Sequence, residues 1–178
     1  VKGITNEAVG LYLDVVVFDD ASNDGMTEVL HENKIRSYRI NKSFGLGHVF
    51  SKITQYFLEN DYTSLITIDG DGQFDPKDLQ KIIRPILENE ASMVTGSRFI
   101  NGANTENISL IKKLGNKVGA RYISSVLKER FFDVTCGFRA YSRDAILRLH
   151  TFSDFTYTQE VFLNLGFKKV PILEVPIN

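Results

Sequence analysis

The sequence has few of the features that mark secreted, nucleic-acid-binding or membrane-spanning proteins. Its 178 residues include one cysteine, Cys136, which excludes an internal disulfide and a cysteine-based zinc site. The formal net charge is -1, so no overall field favours nucleic acid or an anionic membrane. No apolar run approaches the roughly 18–20 residues of a membrane-spanning helix, and residues 1–10 lack the cationic start of a signal peptide. We therefore expect a soluble protein in a reducing compartment.

Linkers and repeats are also missing. The 13 glycines and 4 prolines are scattered rather than clustered, and no internal repeat or low-complexity tract occurs. With 43% apolar and 24% charged residues, the composition is that of an ordinary globular protein. The sequence therefore predicts a single domain spanning residues 1–178.

The apolar residues follow an alternating pattern of short and long segments. Short β-branched runs predict strands at 14–18, 37–40, 64–68 and 92–95, and helical spacing predicts helices at 24–33, 47–60, 76–89 and 108–128. After residue 128 the pattern loosens, and we expect a segment at 131–135 of unassigned type, a turn at 136–137, short helices at 143–149 and 157–165, and a strand at 169–175. Strands alternating with helices predict an α/β fold with a mostly parallel sheet flanked by helices.

Polar clusters follow three of the four predicted strands. These clusters are Asp19-Asp20, Asp69-Gly70-Asp71-Gly72-Gln73 and Gly96-Ser97-Arg98. The carboxyl ends of parallel strands share one edge of a sheet, and ligands bind at that edge. The three clusters are therefore expected to line one crevice.

Asp69 and Asp71 form the candidate metal site. They lie two residues apart at a strand end, with glycines between and after them, so both carboxylates can turn towards one point. Mg²⁺ or Mn²⁺ uses one or two carboxylates together with substrate phosphates, and Gln73 can add a neutral oxygen. The alternative is that Asp-Gly-Asp-Gly is only a turn.

Two other motifs share these residues. Residues 67–78 resemble the calcium loop of an EF-hand, with glycine at the sixth position, but Thr67 replaces the first acidic ligand and Asp78 replaces the final Glu. A strand also precedes the loop where an EF-hand has a helix. A haloacid-dehalogenase-type phosphatase begins with Asp-x-Asp too, but Gln73 stands where that motif has Thr or Val.

The other two strand ends carry candidate ligand-binding residues. Helix capping explains why residues 22–24 are polar, but it does not explain the two acidic residues Asp19 and Asp20. The Asp20 carboxylate can accept hydrogen bonds from a nucleotide base or from ribose hydroxyls. Arg98 can bind phosphate oxygens with paired donors, and its alternative is a surface ion pair.

The motifs at 15–25, 66–76 and 94–99, taken together, resemble the family-2 glycosyltransferases of GT-A fold. Their sequences are VVVFDDASNDG, ITIDGDGQFDP and VTGSRF. Later segments follow in the same order, with LGN at 114–116, DVTCGFRAYSR at 133–143, FTYTQE at 155–160 and EVPI at 174–177. The set is most similar to the polyprenyl-phosphate branch, of which dolichyl-phosphate mannose synthase is typical.

The resemblance implies a role for each candidate residue. In that family a nucleotide-diphosphate sugar lies across the carboxyl edge of the sheet, which implies that Asp19, Asp20 and Asp69 bind the donor. It implies a Mg²⁺ or Mn²⁺ site at Asp69, Asp71 and Gln73. The implied catalytic residues are Asp71, Arg98 and Glu160, and the implied acceptor-phosphate contacts are Lys113 and Arg139.

The implied activity is inverting transfer of a sugar to a polyprenyl phosphate. Residues 1–98 would form the nucleotide-binding half and residues 99–178 the acceptor half of one catalytic domain. The expected location is cytoplasmic, at the inner face of the membrane. Transfer to a saccharide hydroxyl in cell-envelope polysaccharide synthesis, with Glu160 as base, is one alternative. A non-catalytic calcium-binding or nucleotide-sugar-binding module is another.

The start of the sequence departs from the family pattern. The family opens with a strand ending in Pro-x-x-Asn-Glu and a full helix, whereas Asn6-Glu7 lacks the proline and lies only a few residues before the first predicted strand. The branch also commonly continues beyond the position of Asn178. By this comparison we expect family elements to be missing at both ends.

Overall fold

The structure is a computed structural model that describes residues 2–100, 108–150 and 157–178. Helices and strands alternate along these residues. The strands are β1 (Val16–Asp20), β2 (Arg36–Ile40), β3 (Ser64–Thr67), β4 (Met93–Ser97), β5 (Arg139–Ser142) and β6 (Ile172–Pro176). The helices are α1 (Lys2–Gly10), α2 (Met26–Glu32), α3 (Leu46–Glu59), α4 (Leu79–Leu87), α5 (Leu110–Leu127), α6 (Arg143–Arg148) and α7 (Thr158–Phe167), with a 3₁₀ turn at Pro76–Asp78.

The first four strands and the helices that follow them match the sequence prediction closely. Capping explains where two of the helical segments begin. The Asp75 side chain accepts a hydrogen bond from the Lys77 amide ahead of the 3₁₀ turn, and Ser109 accepts one from the Lys112 amide ahead of α5. Both caps bond to amides that the first helical turn leaves without a partner.

The strands pair as two sheets. β1 and β2 are parallel and form the first sheet, and the second has the order β3-β5-β4-β6. β4 and β6 are parallel, whereas β5 lies between β3 and β4 and is antiparallel to both. The α/β class is therefore confirmed. The sequence did not predict β5, so it also missed the two antiparallel pairings.

Two apolar clusters pack on the opposite faces of the four-stranded sheet. Met93 and Tyr141 belong to the cluster that contains α3, α5, α6 and α7 residues. Val94 and Ala140, the next residues along β4 or β5, belong to the cluster with α4. This alternation is the period-two geometry of strands buried on both faces. It fixes which side chains of β3, β4 and β5 point away from α4.

The structure shows where Asn6-Glu7 lie and excludes one alternative for the loop after β3. Asn6 and Glu7 lie inside α1, so the departure from the family pattern noted in the sequence is present. The calcium-loop interpretation is wrong, because β3 and not a helix enters the loop at residues 67–78. Asp78 is 1% exposed and unsuited to bind calcium, since it accepts from the Lys81 ammonium at 2.6 Å and from the Asn178 amide at 2.7 Å.

Candidate active site

A cavity of about 880 Å³ lies between β1 and β3. Within the described ranges, β1 bonds only to β2 and β3 only to β5, so the cavity separates two strand edges. Apolar side chains of both strands, α1 and α3 line its interior, and four carboxylates, Asp19, Asp20, Asp69 and Asp71, line it at the strand ends. The volume is within the usual range of small-molecule sites. The structure thus brings together the acidic clusters of two strands, whereas the sequence predicted that three clusters line one crevice, and residues 96–98 are not among those that line this cavity.

Asp19 holds the turn that follows β1. It is 4% exposed, and its Oδ1 accepts a hydrogen bond from the Ser22 amide at 2.8 Å. The Arg39 guanidinium lies 3.4 Å from its Oδ2. Burial alone would raise the pKa of Asp19, but the hydrogen bonds from Ser22 and the charge of Arg39 together hold it below its usual value. Asp19 is therefore ionised and holds the turn through its Oδ1, while its buried Oδ2 accepts no hydrogen bond from the described residues.

Asp20 keeps one oxygen without a protein partner. Its Oδ2 accepts a hydrogen bond from the Ser43 hydroxyl at 2.6 Å, whereas its Oδ1 is buried and bonds to none of the described residues. Ala21 follows in the left-handed region, with φ of 61°. That conformation costs a non-glycine residue about 1 kcal/mol or more. The unsatisfied buried oxygen makes Asp20 a candidate ligand-binding position.

Asp69 lies close to the backbone of the segment that leads into β5. A methyl group added to Gly137 would lie 2.7 Å from the Asp69 Oδ2, so only glycine allows this approach. Partial burial and the charge of Asp71 raise the pKa of Asp69, against the opposing charges of Arg139 and Arg98. A divalent cation would relieve this repulsion between two neighbouring carboxylates.

The loop after Asp69 suits a hard cation. The Asp71 Oδ1 accepts a hydrogen bond from the Gln73 amide at 3.0 Å, and Gly72 takes a left-handed conformation with φ of 80°. Asp71 and the Gln73 side chain are exposed. Among the residues described, no group of three or more His, Cys, Asp and Glu side chains could hold a metal. Two carboxylates and one amide nevertheless fit Mg²⁺ or Mn²⁺, which complete their shells with water and substrate phosphates.

Arg98 forms a bidentate ion pair with Asp133. The Arg98 Nε lies 2.7 Å from Asp133 Oδ2, and its Nη2 lies 3.0 Å from Asp133 Oδ1 and 2.9 Å from the Thr135 hydroxyl. Asp133 is fully buried, and 21% of the Arg98 side chain is exposed. The sequence offered phosphate binding and an ion pair as alternatives for Arg98. The ion pair is present, and it fixes the guanidinium beside Asp69.

Side chains from two distant elements hold the loop that carries Asp133. Asn116 of α5 donates to the Phe132 carbonyl at 2.7 Å and accepts from the Val134 amide at 3.1 Å. Glu174 of β6 accepts from the Phe132 and Asp133 amides at 2.8 and 2.7 Å. Sequence reasoning gave these residues no role. The only signal was that Asn116, Asp133 and Glu174 all lie in the segments that carry the family resemblance.

The structure corrects the expectation for Arg139. We expected it to contact an acceptor phosphate, but β5 buries it completely. Its Nη1 donates to the Thr158 carbonyl at 2.9 Å and its Nη2 to the Val134 carbonyl at 3.2 Å, and the guanidinium lies 4.9 Å from the Phe162 ring centroid. Arg139 therefore joins α7 to the Asp133 loop and contributes positive charge near Asp69 from within the core.

The remaining predicted residues lie on two helices. Lys113 is in the first turn of α5, and its side chain makes no hydrogen bond or ion pair with the rest of the described structure. Glu160 is half-buried in the first turn of α7, two residues after the Thr158 carbonyl that binds Arg139. Residues 155 and 156, which begin the motif around Glu160, lie outside the described residues.

Cys136 lies between the Asp133 loop and Gly137 and is fully buried. Burial, together with the nearby Asp133 carboxylate, raises the pKa of its thiol to about 12. The thiol is therefore neutral and unreactive in the folded chain.

Comparison with known proteins gives a family match over most of the chain. The model of the family described as "Glycosyl transferase family 2" matches residues 7–149. The undecaprenyl-phosphate mannosyltransferase of Micrococcus luteus is 29% identical over 138 residues, covering 75% of this chain and 56% of that protein. The UDP-N-acetylglucosamine–dolichyl-phosphate N-acetylglucosaminyltransferase of Methanococcus voltae is 28% identical over 153 residues, covering 76% of this chain and 61% of that protein. The chain thus spans a little over half the length of these relatives.

A solved structure shows the same fold. Glucosyl-3-phosphoglycerate synthase from Mycobacterium tuberculosis, crystallised with Mn²⁺, uridine diphosphate and phosphoglyceric acid, superposes with a TM-score of 0.70. The match covers 98% of this chain and 63% of that one, at 16% sequence identity.

Proposed function

The chain belongs to glycosyl transferase family 2 and has the GT-A fold that its sequence predicts, and we propose that it transfers a sugar from a nucleotide-diphosphate sugar to a polyprenyl phosphate. The observation that carries this proposal is the cavity that Asp20, Asp69 and Asp71 line together at the ends of β1 and β3. Support for the acceptor comes from the two relatives, whose names specify undecaprenyl and dolichyl phosphate.

Asp20 and Asp19 have different roles in donor binding. Asp19 bonds to the Ser22 amide and pairs with Arg39, so it positions the turn, although its buried Oδ2 accepts no hydrogen bond from the described residues. Asp20 has a buried oxygen without a protein partner, and a base N–H or a ribose hydroxyl would satisfy it. The nucleoside therefore binds at the end of β1, and the diphosphate extends towards β3.

Asp69 and Asp71 would hold Mg²⁺ or Mn²⁺, with the Gln73 side chain as a neutral third ligand. When bound, such an ion stabilises the negative charge that the nucleoside diphosphate gains as it leaves. The backbone at Gly72 and Gly137 sets the positions of the two carboxylates. The glucosyl-3-phosphoglycerate synthase of the same fold was crystallised with Mn²⁺ and uridine diphosphate together, which supports this assignment.

The reaction is a single displacement at the anomeric carbon. An acceptor phosphate oxygen forms the new bond while the bond to the donor diphosphate breaks on the opposite face, so the configuration inverts. A phosphate monoester, with a second pKa near ~6, is already largely dianionic at neutral pH. The attack therefore requires positive charge and no base. Arg98 supplies that charge in a fixed position, and its Nη1 is free of partners among the described residues.

The protein's place in the cell follows from its acceptor. None of the described helices has both the length and the apolar composition to cross a bilayer. A polyprenyl phosphate lies in the membrane with its phosphate at the surface, so we place the protein at the cytoplasmic surface of that membrane. The nucleotide-binding half at residues 1–98 and the acceptor half at residues 99–178 form one catalytic domain in this proposal.

The test compares Arg98 with Glu160 in a transfer assay with radiolabelled donor and polyprenyl phosphate. Arg98→Ala is expected to cost about 2–4 kcal/mol of transition-state stabilisation, the scale of a lost preorganised charge contact. Glu160→Gln is expected to cost less than about 1 kcal/mol, because a dianionic phosphate has no proton to lose in the attack. Thermal unfolding of each variant, with Arg98→Lys as a second substitution, separates a loss of catalysis from a loss of folding.

Two outcomes would contradict the proposal in different ways. If Glu160→Gln is the less active enzyme and Arg98→Ala is nearly normal, the acceptor is a hydroxyl that needs a base. If the wild-type chain binds nucleotide and Mn²⁺ but transfers nothing to any acceptor, it is a nucleotide-sugar-binding module.

A further inference from the structure

The solvent-facing side of α5 carries an apolar stripe. Its five members are between 61% and 84% exposed, the highest exposures of any group of apolar side chains on one described helix. They are Leu110, Ile111, Leu114, Val118 and Tyr122. Four of them recur every four residues, so they form one continuous line along about three turns of the helix. We call this set the α5 stripe.

The orientation of α5 is set by its opposite side. Ala120, Ile123 and Leu127 are buried in the apolar cluster with α7, and Asn116 is bonded to the loop at residues 132–134. These contacts leave the helix no freedom to rotate the stripe towards the core. The stripe therefore faces away from the core of the described residues.

The charges on α5 are all positive. The helix holds four of the chain's 21 Lys and Arg residues and none of its 22 Asp and Glu residues, although the whole chain has a net charge of -1. At 100° per residue, Lys117 lies at one edge of the stripe and Arg121 lies within its angular range, whereas Lys112 and Lys113 border the buried side. An apolar stripe with cations at its edge is the pattern of helices that lie in the interface of an anionic bilayer.

We propose that α5 docks the protein onto an anionic lipid bilayer, with the α5 stripe inserted at the boundary between head groups and acyl chains. The flanking cations then contact anionic head groups while their alkyl stems lie along the apolar layer. Protein interfaces are depleted of lysine, so three lysines and one arginine on 18 residues favour head groups over a protein partner. This inference rests on the proposed function, since a polyprenyl phosphate is presented at the same surface.

Docking through α5 would also bring the acceptor side of the active site to the lipid. Asn116, on the buried side of α5, holds the loop that carries Asp133, and Asp133 fixes Arg98. A single helix therefore has the stripe on one side and a support of the Arg98 ion pair on the other.

Vesicle flotation without donor or acceptor tests the surface directly. The vesicles are phosphatidylcholine alone and an equal mixture of phosphatidylcholine and phosphatidylglycerol. The wild-type chain is expected to float mainly with the mixture. Leu114→Ser combined with Val118→Ser is expected to reduce binding at least about tenfold, because two apolar side chains lose their lipid contacts. Lys117→Gln combined with Arg121→Gln is expected to reduce binding to the mixture about 25-fold, at about fivefold for each cation.

Matched controls come from exposed residues elsewhere. Leu87 on α4 is 64% exposed, like Leu114, and Lys52 on α3 is exposed, so Leu87→Ser and Lys52→Gln are expected to float as the wild type does. All variants are expected to unfold at nearly the same temperature and to bind nucleoside diphosphate with Mn²⁺ normally. Flotation of the α5 variants equal to wild type would overturn the proposal. The proposal would also be overturned if the wild-type chain did not bind vesicles but formed a dimer, and if Leu114→Ser combined with Val118→Ser abolished that dimer. The α5 stripe would then be an interface between two copies of the chain.

The two proposals fail in distinguishable ways. If wild type floats but transfers no sugar to polyprenyl phosphate, the proposed function is wrong and the bilayer-docking face stands. If wild type transfers sugar to a short, water-soluble polyprenyl phosphate but does not float, the function stands and the role of α5 is wrong.

Discussion

The Arg98–Asp133 ion pair offers a direct test of how burial controls the strength of an interaction in this fold. Asp133→Ala removes a fully buried carboxylate that accepts from Arg98 and from the amide and hydroxyl of Thr135. The guanidinium would remain mostly buried without its counter-charge. Breaking one partner of a buried pair costs about 3–5 kcal/mol. We expect about 3 kcal/mol here, the low end, because 21% of the Arg98 side chain can still reach water.

The chain contains a matched control for this prediction. Arg84 and Glu88 form an ion pair at 2.8 Å, nearly the same distance as the 2.7 Å between Arg98 and Asp133, but their side chains are 69% and 43% exposed. Glu88→Ala is therefore expected to cost no more than about 0.5 kcal/mol. Two pairs of the same length would then differ about sixfold in free energy.

Urea unfolding of the variants measures both free energies. The slope of the free energy against urea should stay constant, so that the change in midpoint reports stability alone. Asp133→Asn, which keeps the shape and one acceptor oxygen, is expected to fall between wild type and Asp133→Ala. A cost below about 1 kcal/mol for Asp133→Ala, or an equal cost for Glu88→Ala, would show that burial does not strengthen the Arg98 pair.

Three further predictions concern the carboxylates. Asp71→Ala should abolish Mn²⁺-dependent binding of nucleoside diphosphate, measured by calorimetry, without unfolding the chain. Asp20→Ala should weaken the binding of nucleoside diphosphate even in EDTA. If Asp20→Ala weakens binding only when metal is present, Asp20 belongs to the diphosphate site instead. Because burial and Asp71 raise the pKa of Asp69, the folded chain binds more protons than the unfolded chain just above the usual Asp range, and stability falls as pH rises through that window. Asp69→Asn should reduce this fall in melting temperature, with the remainder coming from groups such as Glu174, whose pKa burial also raises, and an unchanged pH profile would refute the assignment. Gly137→Ala should displace Asp69 and weaken Mn²⁺-dependent binding, and normal affinity would show that the close approach is dispensable.

The features that the sequence predicted well are those that depend on neighbouring residues. The strands before Asp20, Asp69 and Arg98 could be recognised because β-branched runs and helical spacing are local signals. The expectation that the strand ends lie together holds for Asp20 and Asp69, which line the cavity between β1 and β3, but Arg98 is not among the residues that line it. The two strands belong to different sheets, so the single parallel sheet expected from helical crossovers is not what brings these ends together.

The features that the sequence missed depend on residues far apart in the chain. β5 begins with Arg139, a residue type that is usually exposed, and its burial depends on the Thr158 and Val134 carbonyls and on the Phe162 ring. Arg98 and Asp133 are 35 residues apart, and no local pattern links them. The sequence did not predict the apolar stripe of α5 for a different reason. Apolar residues at helical spacing predict a helix, but the spacing alone does not tell which side of that helix faces the core.

The rate at which Cys136 reacts with a thiol reagent would report how often the folded chain opens locally around this residue. The thiol is enclosed between the loop that holds Arg98 and the start of β5, and a thiol reagent in water cannot reach it while that enclosure persists. Reaction at this position therefore requires a transient separation of the loop from the sheet, and its rate measures how often that separation occurs. Since the chain has no other cysteine, the signal comes from one place, and that place supports the charged groups of the active site.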